Sequence, residues 1–86
     1  MTKSIFHPSY DQFRRKLALA RQAAGATQRE LARKLGKPQS FVSKCESGER
    51  RLDVQEFFQV AEALGFDPFL FLRSIYKKAG RERAPK

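Results

Sequence analysis

Residues 27–48 read TQRELARKLGKPQSFVSKCESG, and this stretch decides the fold. Its apolar residues recur at helical spacing in two short groups, namely Leu31, Ala32 and Leu35, then Val42 and Cys45. Gly36 lies between the groups, where a left-handed residue ends one helix and starts a tight turn. Ala32 is small enough for two helices to cross closely, and the branched Val42 fills the angle between them. The stretch therefore predicts a helix-turn-helix.

Capping signals predict three further helices around this motif. Capping boxes begin at three residues: Ser9, Thr27 and Asp53. Asp67 before Pro68 is an N-cap followed by a proline in the first turn, and Pro38 suits the first turn of the third helix. The glycines each follow an amphipathic stretch, at the position where helices end: Gly25, Gly36, Gly48, Gly65 and Gly80.

The remaining apolar residues have the spacing of helix faces that point to one core. They are Phe13, Leu17, Ala20 and Ala24 in helix one, Val54, Phe57, Phe58, Ala61 and Leu64 in helix four, and Phe71, Leu72 and Ile75 in helix five. No segment alternates with a period of two, so no sheet is expected. We predict an all-α, compact five-helix bundle over residues 9–78, with the helix-turn-helix at about 28–47, an arm at 1–8 and a basic tail at 79–86.

Charge and composition exclude several classes of protein. The net charge is +9, with seven basic and three acidic residues in 28–51 but one basic and four acidic in 52–76, which indicates one face for a polyanion. A single Cys45 excludes an intramolecular disulfide and fits a reducing cytoplasm. There is no signal-peptide pattern and no membrane-spanning run. We expect no metal, no cofactor and no enzyme activity, because the one histidine, His7, lies in the arm.

Residues 13–72 resemble the Cro and phage-repressor family, also called the XRE family. Three short motifs make the resemblance specific: Thr27-Gln28, Gln39-Ser40 and Glu46-Ser47-Gly48. The resemblance implies a phage-repressor type of bundle that binds double-stranded DNA. It also implies a cytoplasmic protein of bacterial or phage origin that is associated with the nucleoid through DNA binding. It implies a transcriptional regulator, most simply a prophage-type or antitoxin-like repressor.

The resemblance also implies roles for individual residues. Base contacts in the major groove are expected from Gln39, Ser40, Ser43 and Lys44. Phosphate contacts are expected from Gln28, Lys37, Arg50 and Arg51. These roles are chemically sound, since Gln pairs with adenine, Lys with guanine, and a helix N-terminus favours a phosphate. Arg21 and Glu46 match a structural ion pair between helices one and three.

The distribution of apolar residues around helix five predicts a homodimer. Pro68, Phe71, Leu72 and Ile75 fill one stripe, and this leaves another face with Phe69, Leu70 and Tyr76, near Arg73. Three large residues exposed together would be unusual on a small monomer. The alternative is that helix five is wrapped more deeply by helices one and four, with Ile5 and Phe6 over it.

The function is also open to a second interpretation. A protein-interaction or coactivator module with the same fold stays open, although it would not need the residues expected to contact DNA, which are Gln28, Gln39, Lys44, Arg50 and Arg51. A protein partner, such as a toxin or an effector, also stays open. Cys45 is interpreted as a small core residue, with redox sensing as the alternative.

Overall fold

Five α-helices make up residues 8–80, the part of the chain that the computed structural model describes. In chain order they are α1 (Pro8–Ala23), α2 (Gln28–Leu35), α3 (Gln39–Ser47), α4 (Val54–Leu64) and α5 (Pro68–Gly80). No strand occurs within residues 8–80, which confirms the predicted all-α class. Residues 1–7 of the predicted arm and 81–86 of the predicted tail lie outside the described residues.

The predicted N-terminal caps of α2, α4 and α5 are confirmed. Thr27 and Asp53 each accept the backbone N–H of the glutamate three residues later, and that glutamate accepts the N–H of the cap residue in return. Asp67 Oδ1 accepts a backbone N–H at the start of α5 at 2.8 Å. These bonds satisfy donors that the first turn of a helix leaves without a partner.

Gly36, Gly48 and Gly65 end their helices in the left-handed conformation as predicted, but three other predicted helix ends need correction. Ser9 lies inside α1 and is not its N-cap, because Pro8 opens the helix with a fixed φ and no N–H to satisfy. Pro38 is the N-cap of α3 instead of its first helical residue, and its side chain makes no capping hydrogen bond. Gly80 is included in α5 and does not follow its end.

The crossing of α2 and α3 is built as the sequence predicts. Ala32 and Val42 are both buried at this crossing. Gly36 has a φ of 70°, and the N–H of the next residue, Lys37, donates to the carbonyl of Ala32 at 2.9 Å. This bond closes the C-terminus of α2 and turns the chain directly into α3.

The core is formed by all five helices. Its buried cluster comprises Leu17, Leu31, Ala32, Val42, Phe57 and Val60. An aromatic layer extends this cluster towards α5, where the ring of Phe71 lies 5.4 Å from Phe57 and 4.9 Å from Phe66 between centroids. Offset and tilted aromatic pairs of this kind stabilise a core beyond the area they bury.

Four residues predicted in the core are exposed: Ala24, Val54, Phe58 and Leu72. Ala24 follows the end of α1. In α4 the buried stripe is set by Phe57, Val60 and Ala61, so that Val54 and Phe58 lie on the flank of the helix. The periodicity of α4 is ambiguous because two adjacent phenylalanines offer two possible stripes.

Cys45 is buried on the inner face of α3. A void of about 20 Å³ remains among its neighbours, which include Leu17 and Leu52. Burial raises the pKa of the Cys45 thiol, and a buried thiol with a raised pKa is a poor nucleophile. Its surroundings are therefore those of a packing residue.

Two arginines of α1 hold α3 in place. Arg21 Nε and Nη2 donate to the two carboxylate oxygens of Glu46 at 2.7 and 3.1 Å, and both side chains are only 12% exposed. Arg14 Nη1 donates to the backbone carbonyl of Glu46 at 2.8 Å, near the C-terminus of α3 where a cation is favoured. The side chain and the backbone of one residue are thus both fastened to α1.

We predict that removing either partner of the Arg21–Glu46 pair destabilises the fold strongly. Glu46→Ala should lower the free energy of unfolding by about 3 kcal/mol, because it leaves the Arg21 guanidinium in a mostly buried site without its carboxylate. The double substitution with Arg21→Ala should cost less than the sum of the two single ones, with a coupling energy of about 1 kcal/mol or more. Urea unfolding of all four proteins measures this cycle.

Arg15→Ala is the matched control, since Arg15 pairs with Asp11 on the surface with 68% of its side chain exposed. This change should alter the free energy of unfolding by less than about 1 kcal/mol. Additive losses for Arg21→Ala and Glu46→Ala would show that the two side chains do not stabilise the fold as a pair.

Candidate nucleic-acid interface

The two faces of α3 differ in chemistry. Val42 and Cys45 are buried on the inner face. The predicted base-contact residues lie on the other side of the helix, where Gln39, Ser40 and Lys44 are exposed and Ser43 is half-buried. The Ser43 hydroxyl lies 3.5 Å from the carbonyl of Ser40, within its own helix. None of these four side chains has a place in the hydrophobic core, so their polar groups are available to a ligand outside the protein.

A chain of amide hydrogen bonds connects this outer face to the mostly buried Arg21–Glu46 ion pair. Gln28 Nε2 donates to Glu46 Oε1 at 3.0 Å, and Gln39 Nε2 donates to Gln28 Oε1 at 3.4 Å. Glu46 therefore accepts hydrogen bonds from both Arg21 and Gln28. Through these bonds the first residue of α2 and the first residue of α3 are oriented together.

The N-terminus of α2 adjoins a shallow depression of about 460 Å³. Its lining residues are Arg21, Thr27, Gln28, Arg29 and Gln39. The first backbone N–H groups of a helix have no acceptor within the helix, and the helix dipole adds positive potential at this end. The depression therefore suits an anion such as a phosphate. The sequence pattern does not identify Arg29 here, although its place in the first turn of α2 is a usable signal.

The two arginines of the loop after α3 have different surroundings. The Arg51 guanidinium lies over the ring of Tyr10, with 4.3 Å from Cζ to the ring centroid. The Tyr10 hydroxyl accepts the backbone N–H of Leu52 at 3.3 Å, and partial burial raises the pKa of Tyr10. These contacts between α1 and the loop fix the position of the Arg51 side chain.

Arg50 is engaged by Glu56 of α4. Nη1 and Nη2 lie 2.9 and 3.0 Å from the two Glu56 carboxylate oxygens, and Arg50 Cζ lies 4.7 Å from the centroid of the Phe41 ring. Lys37 Nζ lies 5.0 Å from the same ring. The Arg50 hydrogen bonds, with that from the N–H of Asp53, lower the pKa of the Glu56 carboxyl.

The structure thus brings Gln28 and Gln39 together and places Lys37, Arg50 and Arg51 in the turns that flank α3. The sequence pattern does not identify three residues of this region: Arg14, Phe41 and Glu56. Arg14 carries a signal, since it lies seven residues before Arg21 and so on the same face of α1. Glu56 is predicted only as part of a capping box, and its pairing with Arg50 depends on the path of the loop.

Two of the three residues predicted for a dimer interface, Phe69 and Tyr76, lie on an apolar surface of α4 and α5. Phe69, Leu70 and Tyr76 are 67%, 61% and 73% exposed. Helical periodicity puts Phe69 and Tyr76 on one stripe with Leu72, while Leu70 lies off that stripe. The Phe69 ring also contacts Phe58, with 5.9 Å between centroids. We call the set of Val54, Phe58, Phe69, Leu72 and Tyr76 the α4–α5 apolar surface.

The described residues offer neither a metal-binding cluster nor a membrane-spanning helix. Residues 8–80 contain no group of three or more His, Cys, Asp or Glu side chains that would hold a metal ion. None of the helices described is both long and apolar enough to cross a membrane.

Comparisons with known proteins agree with this geometry. The family model described as helix-turn-helix matches residues 17–71. A solved structure titled "XRE-family like protein from Pseudomonas syringae pv. tomato str. DC3000" is similar over 90% of this chain and 94% of that one, with 48% sequence identity and a TM-score of 0.82. No curated protein matches the chain. The chain belongs to the XRE family of helix-turn-helix, DNA-binding transcription regulators.

Proposed function

We propose that this protein is a sequence-specific repressor that inserts α3 into the major groove of duplex DNA. One observation carries the proposal: the outer face of α3 presents polar side chains that have no place in the core, beside a helix N-terminus suited to a phosphate. A major groove is wide enough to admit one α-helix. With α3 in the groove, the N-terminus of α2 faces the sugar-phosphate backbone.

The chemistry of the side chains supports two separate roles, base readout and phosphate contact. The hydrogen bond from Gln39 to Gln28 orients the Gln39 amide, which is suited to adenine N6 and N7, and Lys44 is suited to guanine O6 and N7. Ser40 and Ser43 can donate to or accept from either purine. Gln28, Lys37 and Arg51 are assigned to phosphates, which fix the register of the protein on DNA.

The geometry of DNA and the α4–α5 apolar surface support the proposal of a homodimer. One recognition helix reads only a few base pairs, whereas a two-fold dimer places two of them about 34 Å apart on one side of the duplex. The α4–α5 apolar surface offers aromatic and aliphatic area without a partner in the described part of the chain. Phe69 and Tyr76 lie on this surface, and Leu70 is assigned to its margin.

Repression is the simplest outcome of such binding. A bound dimer blocks a promoter by occupying it, whereas activation needs an additional contact with the transcription machinery. We therefore propose that the protein represses transcription.

We predict that two groups of substitutions alter DNA binding in different ways. Lys37→Ala and Arg51→Ala should weaken binding to every duplex alike and reduce the slope of log affinity against log salt by about 1 each, because each removes a phosphate contact. Gln39→Ala and Lys44→Ala should change which sequence is preferred, by about 1–3 kcal/mol for each bidentate pairing with a base that the substitution removes. Selection of bound duplexes from a random pool, followed by salt titrations, measures both effects.

Arg33→Ala is the matched control, since Arg33 is an exposed cation of α2 that is not assigned to DNA. It should change neither the preferred sequence nor the salt slope. Equal losses on all sequences for Gln39→Ala and Lys44→Ala would contradict base readout. Absence of duplex binding by the wild type would leave a protein-interaction module as the better interpretation.

We predict that the free protein dimerises through the α4–α5 apolar surface. Phe69→Glu combined with Tyr76→Glu should make the protein monomeric, because it places charges in an apolar contact. Sedimentation equilibrium at micromolar concentrations measures the association. The variant should bind its operator more weakly than the wild type does, and its binding should no longer depend on protein dimerisation.

Leu19→Glu is the control, because Leu19 is a similarly exposed apolar residue of α1 outside the α4–α5 apolar surface. It should leave the association constant unchanged. A wild type that stays monomeric at high micromolar concentration, with normal operator binding by the double variant, would contradict the proposed dimer.

A further inference from the structure

Arg50 is a basic residue of the loop after α3 whose charge is already paired with a carboxylate. Its two terminal nitrogens bind both oxygens of Glu56, and Nη1 also donates to the backbone carbonyl of Arg51 at 3.0 Å. A guanidinium has five N–H donors, so these three bonds use most of its capacity. The bidentate arrangement with a carboxylate is also the strongest type of side-chain hydrogen bonding for arginine.

The surroundings hold this pair in one position. The face of the guanidinium lies against Phe41, and the Glu56 carboxylate also accepts the N–H of Asp53 as part of the α4 capping box. Glu56 is thus fixed by its helix, and Arg50 is fixed by Glu56 and by the ring. The pair connects the loop after α3 to the start of α4.

We propose that Arg50 anchors this loop and does not contact a phosphate, because its pairing with Glu56 keeps the Arg50 guanidinium from binding DNA. This inference rests on the proposed DNA-binding function and assigns Glu56 as a positioning residue within it. To bind a phosphate with the same edge, Arg50 has to exchange one anion for another. That exchange leaves the Glu56 carboxylate without its cation close to a polyanion. Phosphate contact therefore passes to Arg51 and Lys37, and Glu56 limits the strength of sequence-independent binding.

Glu56→Gln tests the proposal because it removes the charge and keeps the cap. Glutamine serves in capping boxes as glutamate does, so α4 retains its first-turn hydrogen bond. Freed from its counter-charge, Arg50 should gain a phosphate contact on duplex DNA of unrelated sequence. The slope of log affinity against log salt should become steeper by about 0.9, which means that the loss of affinity between 50 and 200 mM salt grows about threefold.

Two further variants make the result specific. Glu62→Gln removes one negative charge from the same helix at an exposed residue that makes no ion pair within residues 8–80, so it controls for net charge. Its salt slope should equal that of the wild type. Combining Arg50→Ala with Glu56→Gln should abolish the gain, and Arg50→Ala alone should leave the salt slope unchanged.

Each outcome decides between interpretations. A steeper slope for Glu56→Gln that needs Arg50 supports the proposal. A slope for Glu56→Gln equal to that of Glu62→Gln, or a slope reduced by about 0.9 for Arg50→Ala alone, overturns it while the DNA-binding function stands. A wild type that does not bind duplex DNA overturns the proposed function and this inference with it. Thermal unfolding identifies any variant that does not fold, and the Arg50→Ala slope then decides the question.

Discussion

The structure depends most on the Glu46 carboxylate, which accepts hydrogen bonds from α1 and α2 while it belongs to α3. The helices it joins are short, since α2 has 8 residues and α3 has 9, and helices of that length do not persist alone in water. Hydrophobic contact at Ala32 and Val42 brings them together without fixing their rotation about each axis. The bidentate Arg21 pair and the Gln28 amide supply that directional constraint. A recognition surface needs such a constraint, because base contacts are sensitive to small displacements.

Through the same carboxylate, the stability of the fold is coupled to the orientation of Gln39 but not to that of Ser40 and Lys44. Gln39 receives its orientation through Gln28 from Glu46. Ser40 and Lys44 make no contact with this chain of hydrogen bonds. The loop beyond α3 has a separate anchor in Arg50 and Glu56, so two ion pairs hold the C-terminal turn of α3 and the loop that follows it. One pair is mostly buried and the other is partly exposed.

Most of the fold can be predicted from local signals in the sequence. The caps at Thr27, Asp53 and Asp67 and the turn at Gly36 depend on residues close in the chain, and they are found as predicted. What cannot be predicted depends on tertiary packing. Phe57 and Phe58 are adjacent, and the packing of α4 against the other helices decides which one is buried.

The candidate site can likewise be predicted from the sequence only in part. Its members can be assigned by resemblance, because their places along α2 and α3 follow from the motif. The partners that the side chains choose cannot be assigned, since Arg50 lies six residues before Glu56 and meets it only through the path of the intervening loop. Sequence identifies the charged groups, but geometry decides which of their charges face outwards.

The isolation of Ser40 and Lys44 from the hydrogen-bond chain has a consequence for how such regulators diversify. Substitutions at these two positions alter neither the core nor the hydrogen bonds that orient α3, so in the proposed mode of DNA binding new target sequences can be acquired there without a loss of foldability. Gln39 lacks that freedom, since a change there also disturbs Gln28. Gene duplicates built on this framework should therefore diverge first at positions 40 and 44, and retargeting by design should begin with the same two codons.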